Sequence, residues 1–135
     1  MAKLFVYGTL KHLDRSFSPF VRLGIVTSPP IVGVVHHYTL YKGFPGFPMA
    51  RPTQPSENRI IQGELVTIEQ DAEHALARLD RYEGVVTGLY TRETVDVFTE
   101  RGVEQAFMYV ATEETIERAR AVEIGSWFSN QPVGF

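Results

Sequence analysis

Three short segments carry groups suited to acyl chemistry. Tyr7-Gly8-Thr9-Leu10 directly follows an apolar run. Glycine at position 8 lets the chain turn sharply with no Cβ in the way. The N–H groups of Gly8, Thr9 and Leu10 can then point into one concavity, a nest for a carboxylate or a developing oxyanion. The plainer reading is an ordinary strand-ending turn. The second segment is Leu79-Asp80-Arg81-Tyr82-Glu83-Gly84. Glu83 lies one turn past Leu79, near the core-facing side of a helix C-terminus. The helix end carries partial negative charge and burial disfavours ionisation, so both raise a carboxyl pKa towards that of a general base. The plainer reading is a solvated glutamate with Asp80 and Arg81 as surface partners. The third segment is Tyr90-Thr91-Arg92. Strand alternation puts Tyr90 and Arg92 on one face, where a phenol and a guanidinium can hold a carboxylate; otherwise Tyr90 packs and Arg92 makes a surface pair.

Other chemistries are set aside. The chain has no cysteine, which excludes disulfides, thiolate nucleophiles, thiolate-bound zinc and iron–sulfur clusters. Adjacent His36 and His37 point to opposite faces of a strand and cannot share one ion from one side, so no metal is expected. No nucleophile elbow, Walker loop or dinucleotide fingerprint is present. Thirteen basic against sixteen acidic residues give a formal charge of −3, without the basic footprint of a nucleic-acid or anionic-membrane binder. No run approaches the ~20 apolar residues that span a bilayer. The opening Met1–Tyr7 is too short for a secretory core, and Lys11, His12, Asp14 and Arg15 follow it. It reads as a buried first strand, and the protein as cytoplasmic.

The elements that must position these segments follow from periodicity. A chain of 135 residues with 44% hydrophobic and 21% charged residues fits one globular domain, taken here as 1–135. Lys3 to Tyr7 suits a strand buried on both faces. Lys11 to Leu23 holds at most a short, irregular helix, weakened by Pro19. Ile25 to Thr27 and Ile31 to Tyr41 read as strands, the second with Gly33 as a bulge or close approach. Lys42 to Pro48 is a turn-rich aromatic loop and a candidate pocket wall, and Pro52 to Asn58 is a polar loop. Ile60 to Ile68 is a strand containing Gly63. Glu69 to Tyr82 is the clearest helix, with Ala72, Ala75, Leu76 and Leu79 in one stripe; Thr67 with Gln70, or Asp71, caps it, and Gly84 stops it. Tyr90 to Thr99 and Val103 to Ala111 form a hairpin. Thr112 caps a second helix with Ile116, Ala119 and Val122 facing inward, ended by Gly125. The order suggests a mixed α+β domain on a curved or closed sheet.

Taken together and in order, these segments resemble the γ-glutamylcyclotransferase family in its small AIG2-like branch. Leu4-Phe5-Val6-Tyr7-Gly8-Thr9-Leu10 and Leu79-Asp80-Arg81-Tyr82-Glu83-Gly84 carry the resemblance. Tyr90 with Arg92, Gly63-Glu64-Leu65, Gly43-Phe44-Pro45-Gly46 and the strand Gln105 to Ala111 support it. Thr9 stands where serine is common, and Thr91 separates Tyr90 from Arg92 where many relatives carry a second basic residue. Leu10 to Leu23 has no matching pattern, and Gly125 to Phe135, with Trp127, Phe128 and Phe135, looks particular to this chain.

The resemblance implies a small mixed-strand β-barrel of about six strands with flanking helices and a pocket at its mouth. It implies release of an amine from a small γ-glutamyl compound with formation of 5-oxoproline, with no cofactor. Glu83 matches the catalytic glutamate, Tyr7, Gly8, Thr9 and Leu10 the substrate-holding turn, and Tyr90 a pocket tyrosine. The chemistry is consistent with so little machinery. The substrate's own α-amine attacks its γ-amide carbon, and good orientation of such an intramolecular step is worth ~7–11 kcal/mol. The competing reading is a non-catalytic small-molecule or protein binding domain on the same fold. The leaving amine and the oligomeric state are left open.

Overall fold

The computed structural model describes residues 2–7, 20, 23–43 and 48–124. Five strands close into a barrel in the order β1 (Ala2–Val6), β5 (Ile60–Ile68), β2 (Ile31–His36), β6 (Tyr90–Thr99), β7 (Gly102–Ala111). Neighbours are antiparallel, as in Phe5↔Leu65, Gly33↔Gly63 and Val35↔Val97, except that β7 meets β1 in parallel at Leu4↔Phe107. A second sheet has the order β4 (Pro48–Pro52), β3 (Tyr38–Lys42), β8 (Val122–Ile124). The helices are α1 (Ala72–Tyr82) and α2 (Glu113–Arg118).

Alternation along β1 explains its continuous apolar run. Phe5 and Tyr7 join Val35, Leu65, Val97 and Met108 inside the barrel. Leu4 and Val6 face outward and pack with Val66, Ile68 and the α1 stripe Ala75, Leu76 and Leu79. Both faces of the strand are thus covered, as a short apolar run at a barrel–helix junction requires.

The expected single run Ile31 to Tyr41 is instead broken. His37 takes φ 68°, a left-handed conformation uncommon for a residue with a side chain. The chain leaves the barrel there and enters the second sheet, held by His37 N–H to Arg59 O and Thr53 N–H to His37 O, each 2.8 Å. The premise that both histidines sit in one strand therefore fails, and their ring centroids lie 6.0 Å apart. Ile25 to Thr27 contributes one isolated bridge, Thr27↔Ile68, rather than a strand. Strand β4 was not anticipated, because two prolines bracket it. It is short and pairs with β3 from Tyr38↔Pro52 to Lys42↔Pro48, and prolines suit such strand ends.

Helix α1 begins later than its sequence signals suggest. Asp71 is the N-cap at φ 48°, and no side chain caps the helix. The hairpin is as expected, with Glu100 and Arg101 between Thr99 and Gly102. Thr112 caps α2 through its side chain to Thr115 N–H, but the helix is short and buries no residue. Val122 is a strand residue and 62% exposed, not an inward helix position. Gly33 and Gly63 stand opposite each other without a bulge. A Cβ on Gly63 would lie 2.4 Å from Val6 O, and one on Gly33 would lie 2.7 Å from Val97 Cγ1, so both are close-approach glycines. The expected irregular helix over Lys11 to Leu23 falls largely outside the described residues; Phe20, which is described, is buried.

Candidate active site

The C-terminal turn of α1 delivers Glu83. Leu79 is fully buried, and Glu83 N–H donates to Leu79 O at 2.8 Å. Gly84 follows at φ 75°, the left-handed step that ends helices. The chain then doubles back through Val85 N–H to Asp80 O (2.9 Å) and Leu89 N–H to Gly84 O (3.0 Å). The turn returns directly into β6, which is why Glu83 and Tyr90 come together although they lie seven positions apart.

Three tyrosines from three strands surround the carboxyl electrostatically. Tyr7, at the end of β1, is buried, and its hydroxyl donates to Tyr109 O at 2.5 Å and accepts from Ala50 N–H at 3.3 Å. Tyr90 donates to Pro48 O at 3.2 Å. Tyr109, buried on the barrel's outer face, donates to Asp80 Oδ1 at 2.7 Å. Burial raises the Glu83 carboxyl to about 7, so desolvation alone accounts for a shift that the helix end was also expected to cause. Tyr7 is held well above the usual phenol value by burial, with Tyr90 and Glu83 adding to it and the Ala50 N–H opposing. Burial and then Glu83 also raise Tyr90. Tyr109 is raised by burial, by its bond to and the charge of Asp80, and by Glu83, against Arg92. The phenols therefore remain protonated donors near neutrality while the carboxyl titrates. Such a group can take a proton and return it.

Of the residues singled out in the sequence, Tyr7, Glu83 and Tyr90 come together here. Gly8, Thr9 and Leu10, and most of the loop Lys42 to Pro48, lie outside the described residues. Arg92 shares a face with Tyr90 as expected, but its Nε binds Asp80 Oδ1 at 3.0 Å and its guanidinium lies 4.7 Å from the Phe107 ring centroid. It is committed to these partly buried neighbours rather than open to a substrate carboxylate. Asp80 is correspondingly no surface partner of Arg81. Tyr109 and Asp80 were missed as site residues. The alternation of β7 marked Tyr109 as an ordinary strand position, and nothing local pairs it with a helix 29 positions earlier. Among the described residues no group of three or more histidine, aspartate or glutamate side chains could hold a metal ion, and no helix is long and apolar enough to cross a membrane. A cavity of about 440 Å³ between β2, β3 and β6, bordered by His36, Tyr38, Asp96 and Phe98, includes none of Tyr7, Glu83 or Tyr90.

A closed mixed barrel with a second sheet and a carboxyl presented at a helix end defines the class: the AIG2-like cyclotransferase fold. The family model described as "Gamma-glutamyl cyclotransferase, AIG2-like" matches residues 4–129, and the chain belongs to that family. Among solved structures it is similar to an AIG2-like protein from Mus musculus, at TM-score 0.73 and 21% identity, covering 98% of this chain and 91% of that one. It is also similar to a γ-glutamyl cyclotransferase (TM-score 0.64, 19% identity, 82% and 66% covered). A third is an uncharacterised protein from Pyrococcus horikoshii (TM-score 0.59, 20% identity, 93% and 86% covered). At these identities the structures share the fold. No curated protein matches the sequence. The barrel has five strands, and the expected strand Ile25 to Thr27 adds only the bridge Thr27↔Ile68 beside it.

Proposed function

We propose that this protein is a cyclotransferase acting on a γ-glutamyl compound, releasing 5-oxoproline and a free amine, with Glu83 as general acid and base. The observation that carries the reading is the Glu83 carboxyl, raised to about 7 by burial beside three protonated phenols. A binding site has no evident need of a carboxyl held at that poise, whereas proton transfer at neutral pH is served by it.

The steps balance without a cofactor. Glu83, ionised, takes a proton from the substrate's α-ammonium. The freed amine attacks the γ-carbonyl carbon, forming the ring C–N bond and a tetrahedral oxyanion. Collapse re-forms the carbonyl and breaks the bond to the leaving nitrogen, which receives the proton from Glu83; the carboxylate so regenerated takes the second proton of the ring nitrogen and passes it to the departing amine, which leaves as its ammonium. Both nucleophile and electrophile belong to one molecule, so the protein's main task is to hold it folded. By family motif the turn Gly8, Thr9 and Leu10 holds the substrate and offers N–H groups to the oxyanion, and Tyr7 and Tyr90 contribute to the pocket.

The test is incubation with a panel of γ-glutamyl amino acids, γ-glutamyl amines and glutathione, with 5-oxoproline read by mass. Intramolecular closure predicts that product formed in heavy-oxygen water carries no solvent oxygen. Glu83→Gln is expected to lower kcat/KM by about 10²–10⁴-fold, the usual range for a lost acid–base group. Absence of product from every substrate, or full turnover by Glu83→Gln, refutes the reading. Ligand stabilisation without product would instead identify a binding domain.

A further inference from the structure

Among the described residues no hydrogen bond or ion pair holds the Glu83 side chain. Its location is therefore set by the backbone of the last turn of α1, and helix ends fray unless something ties them down. One side chain in that turn does so. Asp80 lies three residues before Glu83, on the same side of the helix. Its Oδ1 accepts from Tyr109 Oη at 2.7 Å and from Arg92 Nε at 3.0 Å. Tyr109 belongs to β7 and Arg92 to β6, directly opposite each other in the hairpin. Its backbone oxygen also accepts from the Tyr7 hydroxyl at 2.5 Å, and Tyr7 in turn accepts from Ala50 N–H of β4 at 3.3 Å. One continuous set of contacts thus runs from the helix end through the hairpin to β1 and β4. The Asp80 carbonyl closes the other side, accepting from Val85 N–H at 2.9 Å.

We propose, resting on the function above, that Asp80 is the positioning residue of the site: its carboxylate pins the last turn of α1 to the β6–β7 hairpin and so fixes where Glu83 meets the substrate. A second effect follows from charge. Arg92 is the cation beside the site, and Asp80 engages it. Charge-assisted bonds of this kind are strong where partly buried, and both side chains are about a quarter exposed, at 27% and 21%. Asp80 thereby keeps the guanidinium committed beside Tyr109, the phenol that also faces Glu83. Among the described residues, the titratable groups that feel Glu83 from the packed elements are Tyr7, just after β1, Tyr90 from β6 and Tyr109 from β7, and Asp80, Arg81 and Tyr82 adjoin it along α1. Loosening the turn hydrates Glu83, and because burial is what raises its carboxyl, that lowers the pH at which it titrates.

The experiment reads Glu83 directly, by NMR titration of isotope-labelled glutamate carboxyls in the wild type, Asp80→Asn, Asp80→Ala and Tyr109→Phe, with Glu83→Gln to assign the signal. The wild-type midpoint is expected near 7. In Asp80→Asn and Asp80→Ala it should fall by about one pH unit or more, a tenfold change in the ionisation constant. With a γ-glutamyl substrate, Asp80→Ala should lower kcat at least about tenfold with KM changed less than about threefold, and Asp80→Asn, which keeps an acceptor for Tyr109, should recover part of it. A merely structural aspartate would lower thermal stability and leave the Glu83 midpoint of the folded protein in place; that result overturns the proposal. If Asp80→Ala does not fold, Asp80→Asn and Tyr109→Phe decide it by the same midpoint. If the wild type forms no 5-oxoproline yet the midpoint moves, the functional reading fails and the tether stands. If the wild type turns over and neither midpoint nor kcat moves in the variants, the tether fails and the function stands.

Discussion

Burial of the Glu83 carboxyl makes one kinetic and one thermodynamic demand on the protein. If Glu83 is the base, it must be ionised, so kcat/KM should rise about tenfold per pH unit on the acid side and level off above about pH 7. A profile that is flat from about pH 5 to pH 8 would argue against the role. The thermodynamic demand has a definite sign. The folded-state value is raised to about 7 from 4.5, so between these values the native state binds more protons than the unfolded chain. Stability is therefore fully present below about pH 4.5 and is lost as pH rises through 7, by about 3–4 kcal/mol in total. Glu83→Gln removes that penalty. It should raise the melting temperature clearly at about pH 8 and much less at about pH 5, while lowering turnover if Glu83 is the base. Thermal melts of both proteins at the two pH values check this without any substrate.

At the scale of elements, the site depends on how closely β1 and β5 approach. Gly63 gives up its side chain so that Val6 O and the Phe5 ring can occupy that space; a Cβ there would meet them at 2.4 and 2.7 Å. A backbone oxygen cannot swing aside as a flexible side chain can. Gly63→Ala is accordingly expected to lose about 3 kcal/mol, the upper part of the range for overpacking a core. It should also disturb Tyr7, the residue after Val6. Gly88→Ala provides the contrast. Gly88 has φ 79° with nothing within 4 Å of its missing Cβ, so only backbone strain is added, about 1–2 kcal/mol. Urea unfolding at constant slope distinguishes the two, and equal losses would show that the close approach is not what Gly63 provides.

At the scale of the whole molecule, stability resides in two apolar compartments separated by one layer of backbone. Inside the barrel, Met108 is fully buried with Phe5, Val35, Leu65 and Val97. Met108→Ala should cost about 2–5 kcal/mol through lost transfer energy and a cavity. On the same strand Val103 is 56% exposed, and Val103→Ser should stay within about 0.5 kcal/mol. Comparable losses at the two positions would contradict the barrel's inside–outside division. The same layer explains how the site is built. Tyr7 reaches it from inside the barrel and Tyr109 and Tyr90 from the outer face, and the carboxyl arrives at the rim, where the α1 stripe ends.

Much of this was legible along the chain. The stripe Ala72, Ala75, Leu76 and Leu79 fixed α1 and its stop at Gly84. The alternation about Glu100–Arg101 fixed the hairpin, and the run Lys3 to Tyr7 marked a strand covered on both faces. Each is a local period that the backbone geometry of one element imposes. Glu83 was legible too, as the residue one turn beyond the stripe. The tertiary structure decided what depends on distant partners. It broke Ile31 to Tyr41 at His37 and sent the halves into different sheets. It recruited Pro48 to Pro52 as a strand. It also joined Asp80, read as a surface partner, Arg92, read as a substrate or surface contact, and Tyr109, an unremarked strand residue, into one hydrogen-bonded group. Periodicity states which face of an element a side chain occupies. Which other element lies against that face is settled by closing the barrel, and with it the burial that brings one glutamate near neutrality.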